Sequence, residues 1–490
     1  MVYYSINPQV LFRHFGDFGY LTDNRNYGYT FSDKKFVLGD EIISDIGADI
    51  LSCLEKKPCS IDEITNRASK RFEPTQNLRN NIITFLDLLS SKGFVNKASS
   101  PFDVNKGEQL HNIYKERAGI FQHNEEDKST IKTTDFLLQH FGDKTFLKSL
   151  HIEIVSECNE RCIHCYIPHE FKTELMEESL FFSILEQAKK LNLLHITISG
   201  GEPMLHPHFL DFVKKCRECD MSVNVLSNLT KLNSTMIDEM KRNPLLCVQT
   251  SIYSMDPEVH DHITCHKGSL KKTEDAVCKL IDNNIPVQIN CPILQDNWSC
   301  YKDVLYWAFK HNISASADYS IIAKFDHHKD NLNCRLSEVE LKDIIDDKLH
   351  HDFSFLEDIE KEVSANRTKS LNDNVCTICD SSLCISPNGN VFPCVGWTDK
   401  ILGSLNKYFL EDIWNSSEEI KKLRSIKNKD FSECISCNQK DFCTICMVRN
   451  SNESSTGNPF EVNRYFCTIA RIKKQLYEET NQGHKLKTST

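Results

Sequence analysis

The chain has 490 residues, 40% of them hydrophobic, which is too long for one ordinary domain and apolar enough for packed cores, so two to four domains are expected. A formal net charge of -11, with no basic tract, excludes attraction to nucleic acid phosphate as a default property of the whole molecule. No signal-type apolar segment opens the chain and nowhere do about 18 apolar residues run together, which reads as a cytoplasmic protein with no membrane partner.

Residues 1–95 read as one unit. Strand-like residues 29–31, the polar turn Ser32-Asp33-Lys34 and residues 36–38 suggest a hairpin. Three helices follow: the first over 40–54, the second from Ser60, whose spacing to Glu63 fits a capping box and turns Ile61, Ile64 and Ala68 inward. The third carries Leu78, Ile82, Phe85 and Leu89 at helical spacing and stops at Gly93, before the short apolar Phe94-Val95. Residues 96–148 turn polar and read as a linker.

From 149 to 325 short apolar runs alternate with helical stretches. The strand candidates are 151–155, 195–198, 222–226, 248–252, 287–291 and 317–321. Six strand-helix units imply an α/β fold, a parallel sheet with right-handed crossovers closing into a partial barrel. Chemistry is then expected at the carboxyl ends of the strands. Residues 326–375 form a charged helical bridge, 376–470 a cysteine-rich module, and 471–490 a polar, basic tail expected to fray.

The 22 cysteines recur as short C-x2-C units in a large chain without an export signal, so metal or redox chemistry is favoured over disulfides. Only Cys53 and Cys59 precede residue 158, whereas nine lie from Cys376 to Cys467. The cysteines belong to particular modules. Directly after the first barrel strand comes Cys158-Asn159-Glu160-Arg161-Cys162-Ile163-His164-Cys165-Tyr166. Three thiolates from one loop can hold three irons of a 4Fe-4S cube and leave the fourth iron open. A zinc knuckle wants four ligands, and no close fourth follows. Gly200-Gly201-Glu202-Pro203 stands just past the second strand, where glycines let backbone approach a ligand closely.

This pair of motifs resembles the radical S-adenosylmethionine (SAM) superfamily. The resemblance implies that the open iron chelates the amino and carboxylate groups of SAM, whose reductive cleavage, with an electron from an external reductant, gives a 5'-deoxyadenosyl radical. It also implies cofactor contacts at Tyr166, Gly200, Gly201, Glu202, Asn228 and Ser251. The chain has Ser227-Asn228-Leu229 where the family often shows Thr-Asn-Gly. Its segment His260-Asp261-His262-Ile263-Thr264 lacks the arginines often seen there, so the carboxylate partner and the catalytic residues stay unidentified.

Cys376, Gly389, Cys394, Cys434-x2-Cys437-x5-Cys443-x2-Cys446 and Cys467 resemble the SPASM domain. That resemblance implies two auxiliary 4Fe-4S clusters, one on Cys434, Cys437, Cys443 and Cys467, the other on Cys376, Cys394 and Cys446 with Cys379 or Cys384 as a fourth ligand. Two residues rather than the usual three separate Cys443 from Cys446. A zinc ribbon is the rival for these spacings. Cys216-x2-Cys219, on a predicted helix with Phe209, Phe212 and Val213, reads as structural, as do Cys53, Cys59, Cys247, Cys278 and Cys291. His327-His328 reads as solvated.

The hairpin, three helices and short return of residues 1–95 resemble the winged-helix domain called the RiPP recognition element, which binds leader peptides of ribosomally made precursors. The rival is a DNA-binding winged helix. Eleven Lys plus Arg against twelve Asp plus Glu in residues 1–95, a net of -1, suit phosphate contacts poorly. Together the modules imply a peptide maturase that forms a thioether or, next, a carbon-carbon crosslink on a precursor peptide carrying a leader, epimerisation being a third outcome. Its rivals are a maturase of a Cys or Ser on a folded protein, of the sulfatase-maturase type, and a cluster-based DNA-binding redox sensor.

Overall fold

The computed structural model describes residues 2–24, 38, 40–72, 77–101 and 145–488. The amino-terminal unit holds two small antiparallel sheets. One has the order β5-β1-β6, from β1 (Tyr3–Ile6), β5 (Cys59–Ser60) and β6 (Val95–Ala98); the other is β2-β3-β4, from β2 (Val10–His14), β3 (Phe18–Asp23) and β4 (Asp40–Ser44). Helices α1 (Asp45–Leu51), α2 (Ile61–Ala68) and α3 (Leu78–Ser91) pack on them. The expected hairpin falls on 29–38, which apart from Leu38 lies outside the described residues. Three helices are present, and α2 starts with the capping box read from Ser60 and Glu63.

The first helix begins later than its pattern suggested. Residues 40–44 pair with β3 instead, because β-branched Ile42 and Ile43 favour a strand. Ser44 then starts the helix, its hydroxyl accepting the Gly47 N–H at 3.2 Å. The unit also runs past residue 95, since β6 pairs along all of β1 as far as Ala98.

Six parallel strands follow: β7 (Ser149–Val155), β8 (His195–Gly200), β9 (Ser222–Leu226), β10 (Cys247–Ser251), β11 (Val287–Pro292) and β12 (Ser314–Asp318). They neighbour one another in chain order, the pattern of a partial (β/α)6 barrel. Between them run α4 (Glu178–Lys190), α5 (Phe209–Glu218), α6 (Ser234–Arg242), α7 (Pro257–Thr264), α8 (Ser269–Asp282) and α9 (Tyr301–Lys310). The sixth strand lies three residues before its predicted place. Small alternating Ser314–Asp318 forms the rung against β11, while Tyr319 and Ile321 are buried just beyond it; apolarity there marks packing, not pairing.

The carboxy-terminal part joins the same sheet. Strand β13 (Ser382–Ile385) pairs parallel with the free edge of β7, and β14 (Asn390–Phe392) and β15 (Gly403–Ser404) extend it to nine strands. One apolar core runs from Leu150, Ile152 and Ile154 through the covering helices to Trp397, Leu402 and Trp414. The bridge holds α10 (Glu338–His351) and α11 (Phe353–Thr368). The final helix spans Arg464–Thr488, so most of the expected frayed tail is helical. Cys216 on α5 and Cys219 just past its end are buried, as a structural pair would be. His328 is exposed and His327 half-buried: the His327 ring bonds Asp399 at 2.9 Å and the Ser451 carbonyl at 3.1 Å, tying the barrel to the carboxy-terminal part. Among the described residues no helix is long and apolar enough to cross a membrane.

The amino-terminal unit sits at the end of the barrel where the strands begin. Leu11 and Tyr20 pack on Leu194, Leu246 and Cys247, residues that open β8 and β10. Beside them Asp220 gathers an ionic knot. Its carboxylate faces Lys56 Nζ at 2.5 Å and Arg13 at 3.4 Å, and accepts the Phe12 N–H at 2.6 Å. Arg217 reaches back to the Pro8 carbonyl at 2.5 Å. Burial works to raise the Asp220 pKa, but Lys56, Arg13 and Arg217 outweigh it and hold the group below the usual range. Burial, seconded by Arg217, pulls the Lys56 ammonium down to about 8.

Replacing one member of such a knot strands the others away from water. Asp220→Asn should lower the unfolding free energy by about 3 kcal/mol in urea denaturation. A change below about 0.5 kcal/mol would mean that the apolar contacts alone hold the two units together.

Candidate functional site

The Cys158–Cys165 loop leaves the carboxyl end of β7 and is fixed from four sides. The Arg161 and Ile163 N–H groups donate to the Thr264 and Ile263 carbonyls at 3.0 Å. Asn228 Nδ2 donates to Asn159 Oδ1 at 3.1 Å and lies 3.9 Å from Cys158 Sγ. Asn331 Nδ2 donates to the His164 carbonyl at 3.1 Å. Lys172 Nζ meets Cys165 Sγ at 3.6 Å. These contacts present three thiols on one loop.

Gly200 and Gly201 lie against the base of this loop. A Cβ on Gly200 would stand 1.9 Å from the Val155 carbonyl oxygen, and one on Gly201 2.2 Å from that of Glu157. Gly200 also has φ +137°, open only to glycine. The closeness lets the Gly201 and Glu202 N–H groups donate to Val155 and Glu157 at 2.8 and 2.9 Å. Glu202 itself is fully buried and its carboxylate is already engaged. One oxygen accepts from Met204 N–H and the Ser227 hydroxyl, the other from the Asn228 N–H at 2.7 Å. Burial pushes its pKa up to about 7 against those three donors. Glu202 therefore sets Asn228, and through Asn228 the cysteine loop. Ser251 ends β10 opposite Asn290.

Alternate residues of the strands line a polar lumen. His151 bonds Ser199, Gln249 bonds Gln288 at 3.0 Å, and Ser316 bonds Asn290 at 3.0 Å. At the mouth a cavity of about 420 Å³ is bordered by His164, Tyr166, Asn290, Ser316, Asp318 and Ser320, a size suited to a small ligand. Burial lowers the pKa of both His151 and His164 to about 4, so both are neutral at pH 7. Tyr166 donates to Glu153 Oε1 at 3.1 Å, and its ring lies against Gly396, where a Cβ would come within 3.2 Å. Burial pushes Glu153 up to about 7, against the Tyr166 bond. The sequence reading missed Glu153, although a lone acid in the alternating run His151-Ile152-Glu153-Ile154 was a visible signal. It missed Lys172 as well, and no local pattern marks that residue.

The carboxy-terminal cysteines gather in two sets. Cys434, Cys437, Cys443 and Cys467 lie close together: burial first, then neighbouring thiols of this set, push the Cys434, Cys443 and Cys467 thiols up, and Cys437 is among those neighbours for all three. Cys446 neighbours Cys376 and Cys394, whose thiols burial and then Cys446 push up, and Cys379 faces both Cys376 and Cys394. Cys384 faces only Cys394 of this set and otherwise Glu153. All 22 thiols are free. Among the described residues no three cysteine sulfurs lie within 4.8 Å of one another, whereas a tetrahedral zinc with bonds of about 2.3 Å draws its sulfurs to about 3.8 Å. Three- and four-thiol sets of this kind can hold 4Fe-4S clusters.

Residues 152–308 match the family model of the Radical SAM superfamily, and residues 376–438 match that of SPASM, an iron-sulfur cluster-binding domain. The chain is 24% identical over 342 residues to the tungsten-containing aldehyde ferredoxin oxidoreductase cofactor-modifying protein of Pyrococcus furiosus, covering 64% of this chain and 92% of that protein. It is 26% identical over 332 residues to the antilisterial bacteriocin subtilosin biosynthesis protein AlbA of Bacillus subtilis, covering 64% and 70%. Its fold is similar to that of Streptococcus suis SuiB bound to the precursor peptide SuiA, with TM-score 0.56, 13% identity and coverage of 93% and 98%.

Glu153 gives the site a pH signature. Its folded pKa of about 7 stands above the ordinary 4.5, so the native state binds the extra proton and stability falls as pH rises between those values. Glu153→Gln removes that penalty. Relative to the parent it should gain nothing near pH 4.5 and about 3 kcal/mol above pH 7, read from melting curves across pH. A gain independent of pH would mean that Glu153 is ionised throughout.

Proposed function

The chain belongs to the radical SAM superfamily and carries a SPASM domain, and from that premise we propose that it crosslinks a ribosomally made precursor peptide, by a thioether first and a carbon-carbon bond next. Cys158, Cys162 and Cys165 hold the cluster that binds SAM. Tyr166, Gly200, Gly201, Asn228 and Ser251 border the cofactor, and Glu202 fixes Asn228 among them. Cys434, Cys437, Cys443 and Cys467 hold one auxiliary cluster; Cys376, Cys379, Cys394 and Cys446 hold the other. When bound, these groups supply a 5'-deoxyadenosyl radical that takes a hydrogen atom from the peptide and an acceptor for the electron left behind, after an external one-electron reductant has primed the site.

The observation that carries this reading is the parallel pairing of β13 with β7, which brings the Cys394 set to the strand that leads into the first cysteine loop. A peptide in the lumen then lies between the two. The kinship with the bacteriocin biosynthesis protein and with a fold seen bound to a precursor peptide supports the peptide as substrate. The polar lumen and neutral His151 and His164 suit a neutral backbone better than a charged metabolite. The amino-terminal unit takes the leader along β4 and α3, where Leu88 stands 53% exposed beside the Lys92–Glu41 pair at 2.6 Å. A maturase of folded proteins has no use for that unit, and its charge balance disfavours DNA.

Two measurements test these assignments. Because the amino-terminal unit is knotted into the barrel, a point change is a cleaner probe than deletion. Leu88→Asp should reduce turnover of the leader-bearing peptide, found as a short reading frame beside the gene, at least tenfold (about 1.4 kcal/mol), while peptide-independent 5'-deoxyadenosine formation stays unchanged. Equal turnover would remove the leader role from this surface. In iron analysis the reconstituted parent should hold about twelve irons, Cys379→Ser about eight and Cys384→Ser about twelve; the reverse order would exchange the two cysteines.

A further inference from the structure

Against the cysteine loop stands a buried charge that the assigned chemistry does not use. Lys172 is 6% exposed, and among the described residues the hydrogen-bond contact of its side chain is the one to Cys165 Sγ at 3.6 Å. Among the described residues no carboxylate lies within ion-pair distance of it. A lysine buried without an anion costs several kcal/mol, and a fold keeps one where an anion arrives later. The ammonium meets one sulfur of the loop directly.

Its place is fixed by the backbone around it. The Ser156 N–H donates to the Glu174 carbonyl at 2.9 Å, the Met176 N–H donates to Ile154 at 2.9 Å, and the Glu174 N–H donates to Ser156 Oγ at 2.7 Å. These bonds clamp the segment that follows Lys172 to the end of β7. Before it, Phe171 packs edge-on against Phe325, with ring centres 5.2 Å apart. Ile167 and Met176 are buried at either side. Of the two buried acids nearest the loop, Glu202 is bound to the donors described above, and Glu160 accepts from the Ser269 hydroxyl and, at 3.8 Å, from the Cys162 thiol. Among the described residues Lys172 is the buried lysine in contact with a sulfur of the loop.

We propose that Lys172 is a built-in cation that raises the reduction potential of the cluster held by Cys158, Cys162 and Cys165, easing the one-electron step that precedes SAM cleavage. Net charge near a cluster and hydrogen bonds to its sulfurs are the levers by which protein tunes such potentials. A positive charge held against a ligand sulfur favours the added electron. The inference rests on the assignment of those three cysteines as ligands.

The test is a redox titration of the reconstituted holoenzyme, following the electron paramagnetic resonance signal that changes when SAM is added. In Lys172→Met the ratio of reduced to oxidised first cluster at a given potential should fall about tenfold, a midpoint 59 mV lower for a one-electron couple. Lys172→Arg, which keeps the charge, should stay within threefold of the parent. An unchanged midpoint in Lys172→Met with iron content intact overturns the proposal, and so does a loss of SAM affinity alone, which would make Lys172 a cofactor contact. If Lys172→Met loses the SAM-sensitive signal, Lys172→Gln decides. Loss from both neutral variants also overturns it, because Lys172 would then be holding the loop together. Absence of any SAM-sensitive signal in the parent would fail the ligand assignment instead.

Discussion

Strand β7 is shared. Along one edge it pairs with β8 and along the other with β13, and past its carboxyl end Val155 and Glu157 accept N–H groups from Gly201 and Glu202 at contacts only glycine allows. The first cysteine loop leaves from this same point. Any side chain at Gly200 or Gly201 would push β8 from β7, release Glu202 from Asn228 and loosen the loop. A slip of β13 along β7 would carry the Cys376 and Cys394 set away from Tyr166 and Glu153. The geometry of both metal-binding regions is thus a consequence of one strand having two obligatory neighbours.

The amino-terminal unit obeys a different constraint. It meets the barrel where the strands start, through Leu11 and Tyr20 on Leu194 and Leu246 and through the knot at Asp220, whereas the cysteine loop leaves from where β7 ends. Under the proposal that β4 and α3 hold a leader, the peptide would have to run the height of the barrel, five to seven residues of strand, or roughly 20 Å at 3.3 Å per residue, to reach the lumen mouth.

Much of this was legible because it is local. Cysteine spacing, the GGEP turn, the capping box at Ser60 and five of the six barrel strands are patterns within a few residues. The sixth strand was misplaced because Tyr319 to Ile321 are apolar for packing, while Ser314 to Asp318 pair through backbone alone. The helix expected from residue 40 yielded to cross-strand pairing with β3. What stayed hidden is tertiary. Nothing in the sequence separates Lys172 from the other Lys and Arg residues, 58 in all, or shows that Glu202 spends its oxygens on residues 204, 227 and 228, or that Asp220 gathers Lys56, Arg13 and Arg217. The choice between Cys379 and Cys384 likewise turns on which thiol faces Cys376, and spacing cannot say.

The mass of one product tests the crosslinking chemistry most directly. The reconstituted enzyme, incubated without oxygen with SAM, a one-electron reductant and its leader-bearing peptide, should yield peptide lighter by two hydrogens, about 2 Da, together with 5'-deoxyadenosine, as a crosslink requires. Peptide of unchanged mass beside normal 5'-deoxyadenosine would contradict the crosslinking assignment, and no 5'-deoxyadenosine from protein with full iron would contradict the radical chemistry itself.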